Sequence, residues 1–223
     1  MSLIIAAIVW LTTPGHWMGN AGILARILQH LMIYGMALAI AAAIALPAGL
    51  IIGHTRKGTG FIAAMTGAAR SIPTLGLLTL FGLWLGIGVG APLLALVILA
   101  IPSLLAGAYS GVQAIDPAIP LAARAIGMNR AQVLWGVELP LALPTIIGGI
   151  RAASIQIIAT ATLAAYTSDL GLGRYLFIGL KTRDYPQMLG AALLVTLLAL
   201  IVEVGLGRLQ KVSSRRAQPT TAR

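Results

Sequence analysis

IDPAIPLAARAIGMNRAQVLWGVELPLALP, residues 115–144, is the most polar stretch between the first and last long apolar runs of this chain. It carries punctuation that a continuous membrane span has no use for. Asp116 can N-cap a helix that opens at Pro117. Pro120 still falls among the first four positions, whose N–H groups have no partner inside the helix. That helix is predicted to run to about Ile126, where Gly127 can take the left-handed conformation that stops it. Asn129 then caps a second short helix, with Gln132 three residues on, as in a capping box. Leu139-Pro140 is expected to close that second helix, and Pro144 restricts the backbone next to it. Two short helices, set at an angle between spans, would then present Arg124 and Arg130 outward. The capping pattern alone leaves two readings open, a docking element and a plain interfacial or re-entrant connector.

The composition fixes the setting. Of 223 residues, 59% are hydrophobic and 9% charged, with a mean hydropathy of +0.96. Soluble domains carry about a quarter charged residues, so this is a polytopic membrane protein. The net charge of +10 is no nucleic-acid footprint, because aromatics are few and the Lys/Arg residues sit between apolar runs. The chain has no cysteine, which excludes disulfides, thiolate metal sites and thiol catalysis.

Taken in order, residues 1–11 are apolar but shorter than the roughly 20 residues of a bilayer crossing. They lack a basic leader and read as an interfacial or partly inserted lead-in, with an extra span as the lesser alternative. Spans are expected at 31–52, 61–85 (interrupted by Arg70-Ser71-Ile72-Pro73), 92–113, 145–166 and 187–208. The expected fold is therefore all-α, a polytopic integral membrane protein with five core transmembrane helices, with or without a sixth, short N-terminal one. The divisions are a lead-in over 1–30, a transmembrane domain over 31–209 with its loop at 116–144, and a basic tail over 210–223.

Five spans put the termini on opposite sides, and the cations decide which. Arg56, Lys57, Arg124, Arg130, Arg208, Lys211, Arg215, Arg216 and Arg223 share one side. Arg26, Arg174, Lys181 and Arg183 share the other, and Arg70 and Arg151 lie within spans. The richer side is cytoplasmic. The 116–144 loop and the C-terminus are thus expected in the cytoplasm.

No catalytic or metal-ligating set emerges. Gly53 and Gly58 have the spacing of a phosphate-binding loop, but Thr59 stands where its lysine belongs. No paired carboxylates occupy a span, and no Ser–His–Asp or HExxH pattern occurs. His16, His30 and His54 read as interfacial residues at span ends. Gly82, Gly86, Gly90, Gly107 and Gly111 read as close helix contacts. Within the bilayer, Arg70, Ser71, Pro73 and Thr74 suggest a kinked helix lining a path, since ionisable residues at depth face a protein interior or wet cavity. Snorkelling of Arg70 past a plain kink is the alternative. Gln156 and Thr160 share a helix face that Thr167 roughly continues, and pore lining and plain packing stay equally open. Glu203 is expected to pair with an arginine. Asp169, beside Tyr166 and Tyr175, is a carboxylate that a cationic substrate can meet.

Ala122-Ala123, three residues, Gly127, nine residues, Val137, one residue, then Leu139-Pro140 resembles the EAA loop of bacterial ABC-importer permeases, with Leu121 where that family has Glu. Ile72-Pro73, Gly171-Leu172-Gly173 and Tyr175-Leu176-Phe177-Ile178-Gly179-Leu180 resemble the osmoprotectant permeases of that group. Ser168, Asp169 and Leu170 stand where the group has glycines.

The resemblance implies a permease subunit for glycine betaine, choline, carnitine or proline betaine in a bacterial plasma (inner) membrane. It implies two ATPase subunits that use ATP and Mg, a second permease (the same chain or a paralogue) and an extracytoplasmic solute-binding protein, with no cofactor in this chain. It also implies that Ala122, Ala123, Gly127, Leu139 and Pro140 shape the docking helix and that Arg124 and Arg130 touch the ATPase. Arg70, Ser71, Pro73, Thr74, Gln156 and Thr160 would line the path. A permease for methionine or another amino acid is the nearer rival. A channel or secondary transporter without an ATPase is the farther one, and no inverted repeat supports it.

Overall fold

The computed structural model describes residues 2–217 apart from 59, 61–63, 65, 66 and 68–70. The described residues form helices and turns, with no strand. In order they are α1 (Leu3–Thr12), α2 (Ile23–Thr55), α3 (Thr74–Leu85), α4 (Gly90–Gln113) and α5 (Ala118–Ala125). Next come α6 (Arg130–Val133), a π-helical stretch (Leu134–Glu138), α7 (Leu139–Thr160) and a 3-10 stretch (Ala161–Tyr166). The last two are α8 (Gly173–Thr182) and α9 (Tyr185–Ala217).

Among the described residues, four stretches are long and apolar enough to cross a membrane: Ile23–Thr55, Gly90–Gln113, Arg130–Tyr166 and Tyr185–Ala217. At about 1.5 Å per residue, α2 is about 50 Å long and overshoots a hydrocarbon core of about 30 Å. It begins eight residues before the expected 31–52 span because Arg26 and His30, which break the hydropathy, are buried rather than wet.

The expected 61–85 span departs most. Gly60, Ala64, Gly67 and Ser71 are helical, Ile72 is a bend, and Pro73 is extended (φ −70°, ψ 111°). Proline has no N–H to give and restricts the residue before it to extended backbone. The chain therefore breaks here and restarts at Thr74. α3, 12 residues long, reaches about 18 Å and is too short to cross alone. Gly86, at φ 79°, ends it.

The described residues divide into two compact units. One holds residues 1–40, 72–100 and 154–202, the other 41–71, 101–153 and 203–223. In the first, Leu78 and Phe81 of α3 pack on Ala91 and Ala95 of α4. Ile158, Leu172 and Val195 pack together with Tyr34 and Tyr175 around them. In the second, Leu50, Ala108, Val112, Ile115, Ala142 and Ile146 form one cluster.

Small residues set the spacing between helices, as in lipid, where tails are as apolar as Leu and close packing must supply the attraction. A Cβ built on Gly107 would lie 2.7 Å from the Gly149 Cα, so α4 and α7 touch backbone to backbone. Gly111 meets Ala142 and Thr145, and Gly82 meets Thr167. Gly86 and Gly90 meet no neighbouring helix: Gly86 is a turn residue, and Gly90 approaches only Leu85.

Candidate functional site

The loop after α4 folds by local rules. Asp116 Oδ1 accepts from the Ala118 N–H at 2.9 Å, and the Pro117 carbonyl accepts from Leu121. The helix opens at Ala118, one residue later than expected, with Pro117 in the cap position. Its end is a Schellman motif. Gly127 N–H donates to the Arg124 carbonyl at 2.9 Å and Met128 N–H to the Ala123 carbonyl at 3.2 Å, with Gly127 at φ 95°. Ala123 is buried while Ala122, Arg124 and Gly127 are exposed.

The capping box is present in both directions. Asn129 Oδ1 accepts from Gln132 N–H at 2.9 Å, and Gln132 Oε1 accepts from Asn129 N–H at 2.8 Å. The helix it starts does not close at Leu139-Pro140; it runs on into α7. The reason lies in the turn before. Pro140 offers no N–H to the Gly136 carbonyl and crowds it. The chain widens to a π turn over Leu134–Glu138, where Leu139 N–H donates to the Leu134 carbonyl five residues back. The loop is therefore one short helix, a tight turn and the first turns of a long helix, not two short helices. Leu139 packs inward on the Leu50–Ile146 cluster. Pro140 is exposed beside Leu209 and Val212 of α9. Ile119, Leu121, Ile126 and Trp135 leave 43–82% of their surface open, an apolar face beside Arg124 and Arg130.

Sequence reasoning missed a pair behind this face. His54 Nδ1 lies 2.6 Å from Glu138 Oε2, with 12% and 8% of the two side chains exposed. The signal was present as an acidic residue just before Leu139-Pro140 and a histidine closing α2, but nothing local joins positions 84 apart.

The other expected residues fare unevenly. Arg70 lies outside the described residues. Ser71 is exposed, and its hydroxyl turns back to the Gly67 carbonyl at 3.4 Å. Pro73 caps α3 and so breaks the chain instead of kinking one helix. Thr74 and Thr160 come together on one void of about 10 Å³ with Leu78, Pro92 and Leu163 among its walls. Gln156 is half-buried on α7. Ser154 is fully buried and accepts from Tyr34 Oη at 3.1 Å, which is helix–helix packing. His30 is also fully buried, its Nε2 3.0 Å from the Ile158 carbonyl, so it is no interfacial residue. Arg151 pairs with Glu203 (Nε to Oε2 3.3 Å) and also reaches Gln210.

The connector 167–186 contains an amphipathic helix, α8, and is tied down. Asp169 accepts from the buried Arg26 at 3.3 Å and from Arg174 Nε at 2.8 Å. Arg26 also donates to the Asp169 backbone carbonyl and to Gln29 Oε1, and Gln29 accepts from Gly171 N–H. Two arginines thus hold the carboxylate expected to meet a cationic substrate. Tyr175 Oη donates to the Ala21 carbonyl at 2.6 Å. Burial pushes that phenol above its ordinary range against the opposing pull of Arg26, so it stays a neutral donor. No group of three or more metal-ligating side chains occurs among the described residues.

A family model described as binding-protein-dependent transport system inner membrane component matches residues 45–219. The carnitine transport permease protein OpuCB of Listeria monocytogenes is 34% identical over 182 residues, 82% of this chain and 84% of that protein. The choline transport system permease protein OpuBB of Bacillus subtilis is 32% identical over 201 residues, covering 90% and 91%. The osmoprotectant import permease protein OsmW of Salmonella typhimurium is 33% identical over 210 residues, covering 90% and 96%. Among solved structures, an inward-facing form of the MetNI methionine ABC transporter matches with a TM-score of 0.75 over 86% of this chain and 96% of that one. Its identity is 21%, so the likeness is one of fold.

Proposed function

The chain belongs to the binding-protein-dependent transport system inner membrane components, and on that premise we propose that it is the permease subunit of an ATP-binding-cassette importer for quaternary-ammonium osmoprotectants. The solutes in view are glycine betaine, choline, carnitine and proline betaine. The carrying observation is that relatives 32–34% identical over most of the chain bear carnitine, choline and osmoprotectant transport names.

In this reading α5 and the first turns of the α6–α7 helix dock on a separate ATPase. Leu121, Ile126 and Trp135 supply apolar contact, with Arg124 and Arg130 beside them, while Ala123, Gly127 and Leu139 hold the shape. ATP and Mg are used on two such partner subunits, and a second permease and an extracytoplasmic binding protein complete the complex. Closure of the ATPases draws the two docking segments together and switches access across the bilayer. Five crossings, the second built around the break at Pro73, put the docking segment and C-terminus in the cytoplasm. The partition of cations supports this. Along the sequence, Arg26, Arg174, Lys181 and Arg183 lie in segments that five crossings put on one side, and Arg56, Lys57, Arg124, Arg130, Arg208, Lys211, Arg215 and Arg216 in segments on the other, richer side. The path runs by Arg70, Ser71, Pro73, Thr74, Gln156 and Thr160, of which Thr74 and Thr160 share a void.

The test is reconstitution with the ATPase and binding protein in vesicles. Labelled glycine betaine, choline and carnitine should enter only with ATP, and each should compete with the others. Equal flux from the permease without an ATPase would refute the importer, and uptake confined to methionine would refute the solute class.

A further inference from the structure

A cavity of about 560 Å³, within the size of small-molecule sites, opens between the end of α2 and the α5–α6 segment. Four cations line it: Arg56 and Lys57 just past α2, Arg124 on α5 and Arg130 on α6. Each is exposed. The chain has five acidic side chains, and each is engaged elsewhere or internally. Asp116 accepts from Ala118 N–H, Glu138 is held by His54, Asp169 by Arg26 and Arg174, Asp184 accepts from Gln187 N–H, and Glu203 pairs with Arg151. Glu138 is the one carboxylate on the cavity wall. Among the described residues, the four cations therefore have no carboxylate of their own.

Val112, Ile115, Pro117, Pro120 and Leu121 give the same wall apolar surface, beside the polar His54, Thr55 and Glu138. The cavity also sits where two membrane-length helices end, α2 at Thr55 and α4 at Gln113. Cations and apolar side chains in one cavity, placed at the helix ends, match a group that is itself half ionic and half apolar. A free anion would use the cations and leave the apolar wall idle.

We propose that this cavity binds the phosphate headgroup of an anionic phospholipid, with the four cations around the phosphodiester and the apolar wall against the glycerol and first methylenes. The proposal rests on the permease reading, which places this end of the helices at the cytoplasmic leaflet. A bound headgroup would join the end of α2 to the docking segment and make docking sensitive to the lipid beside it.

The experiment uses the full chain purified in detergent, with dioleoyl phosphatidylglycerol, dioleoyl phosphatidylcholine or inorganic phosphate added. Retained lipid is counted by native mass spectrometry and stability is read as Tm. Phosphatidylglycerol should be retained and should raise Tm, whereas phosphatidylcholine and phosphate should do neither. Lys57→Gln with Arg124→Gln should weaken retention roughly thirtyfold, from the free energy each surface cation ordinarily contributes. Arg56→Gln with Arg130→Gln should act alike, while Lys211→Gln with Arg215→Gln, outside the cavity, should leave retention unchanged.

Equal retention of the two lipids, or unchanged retention in both cavity variants, would overturn the proposal. Phosphate raising Tm as much as phosphatidylglycerol would reassign the cavity to a soluble anion. Cavity variants that lose only ATPase co-purification would reassign its cations to the protein partner. Lipid retention needs neither solute nor ATPase, so its failure is distinct from a failure of uptake.

Discussion

Two buried or half-buried side-chain pairs show what a single side chain does here. Glu138 and His54 lie 2.6 Å apart with almost no water contact. Removing one partner leaves the other's polar group unsatisfied at a cost of about 1–3 kcal/mol. His54→Leu should therefore lower stability by that amount in denaturant titration of the detergent-solubilised chain, and Glu138→Gln, which keeps an acceptor, should cost less. Arg151 and Glu203 pose a related case between α7 and α9. Each neutralises a charge that the membrane would otherwise disfavour. Glu203→Gln alone should reduce Tm more than Glu203→Gln combined with Arg151→Gln. A double variant no better than the single would mean that the pair acts separately. The sequence disclosed that Glu203 wants an arginine, but not which one, because the partners are 52 positions apart. His30 misled for a related reason. A polar residue at the edge of an apolar run reads as interfacial until its hydrogen bond, 128 positions away, is seen.

At the scale of elements, local chemistry was legible and long-range packing was not. The cap at Asn129 and the stop at Gly127 are set by residues within a few positions and stand where the sequence put them, while the first helix opens one residue late, with Pro117 and not Asp116 in the cap position. The continuation through Leu139-Pro140 was not legible. Whether a proline ends a helix or is absorbed by a π turn depends on the packing of the residues after it, and Leu139 and Ala142 are held in the Leu50–Ile146 cluster. A further stripe escaped notice. Ala37, Ala41, Ala45, Gly49 and Gly53 recur every four residues along α2, and all five are buried. A Cβ on Gly49 would come within 2.7 Å of the Ala108 Cβ, and one on Gly53 within 2.8 Å of the Val112 Cβ. The contact of α4 with α7 at Gly107 and Gly149 is tighter still in kind, since it is backbone on backbone. Gly107→Val should force those helices apart and cost about 1–3 kcal/mol as overpacking does. Gly86→Ala, where a built Cβ meets nothing, tests backbone alone, since φ is 79° there. It should cost about 1–3 kcal/mol through backbone strain, because φ 79° with ψ −169° is a region open essentially to glycine alone. Thermal unfolding of both in one detergent separates the two effects.

For the whole molecule, the distribution of charge argues one orientation. The cations that accompany α5, α6 and the end of α2 lack carboxylates of their own among the described residues. Arg26 and Arg174, by contrast, are already held by Asp169. Topology follows Lys and Arg near helix ends and counts acidic residues little, so the count alone decides. The pairing sharpens the contrast in surface potential that anionic lipid would feel. The absence of cysteine makes the orientation directly testable on the natural chain, because any introduced thiol is the only one. Arg124→Cys places that thiol on the exposed face of α5, and Lys181→Cys places it on the exposed end of α8. In right-side-out vesicles, an impermeant maleimide should label Lys181→Cys and spare Arg124→Cys until the membrane is opened; in inverted vesicles the order should reverse. Labelling of both from one side would require an even number of crossings between them and would remove the basis for cytoplasmic docking. Labelling in the opposite order would place the docking face outside the cell, where no ATPase could reach it.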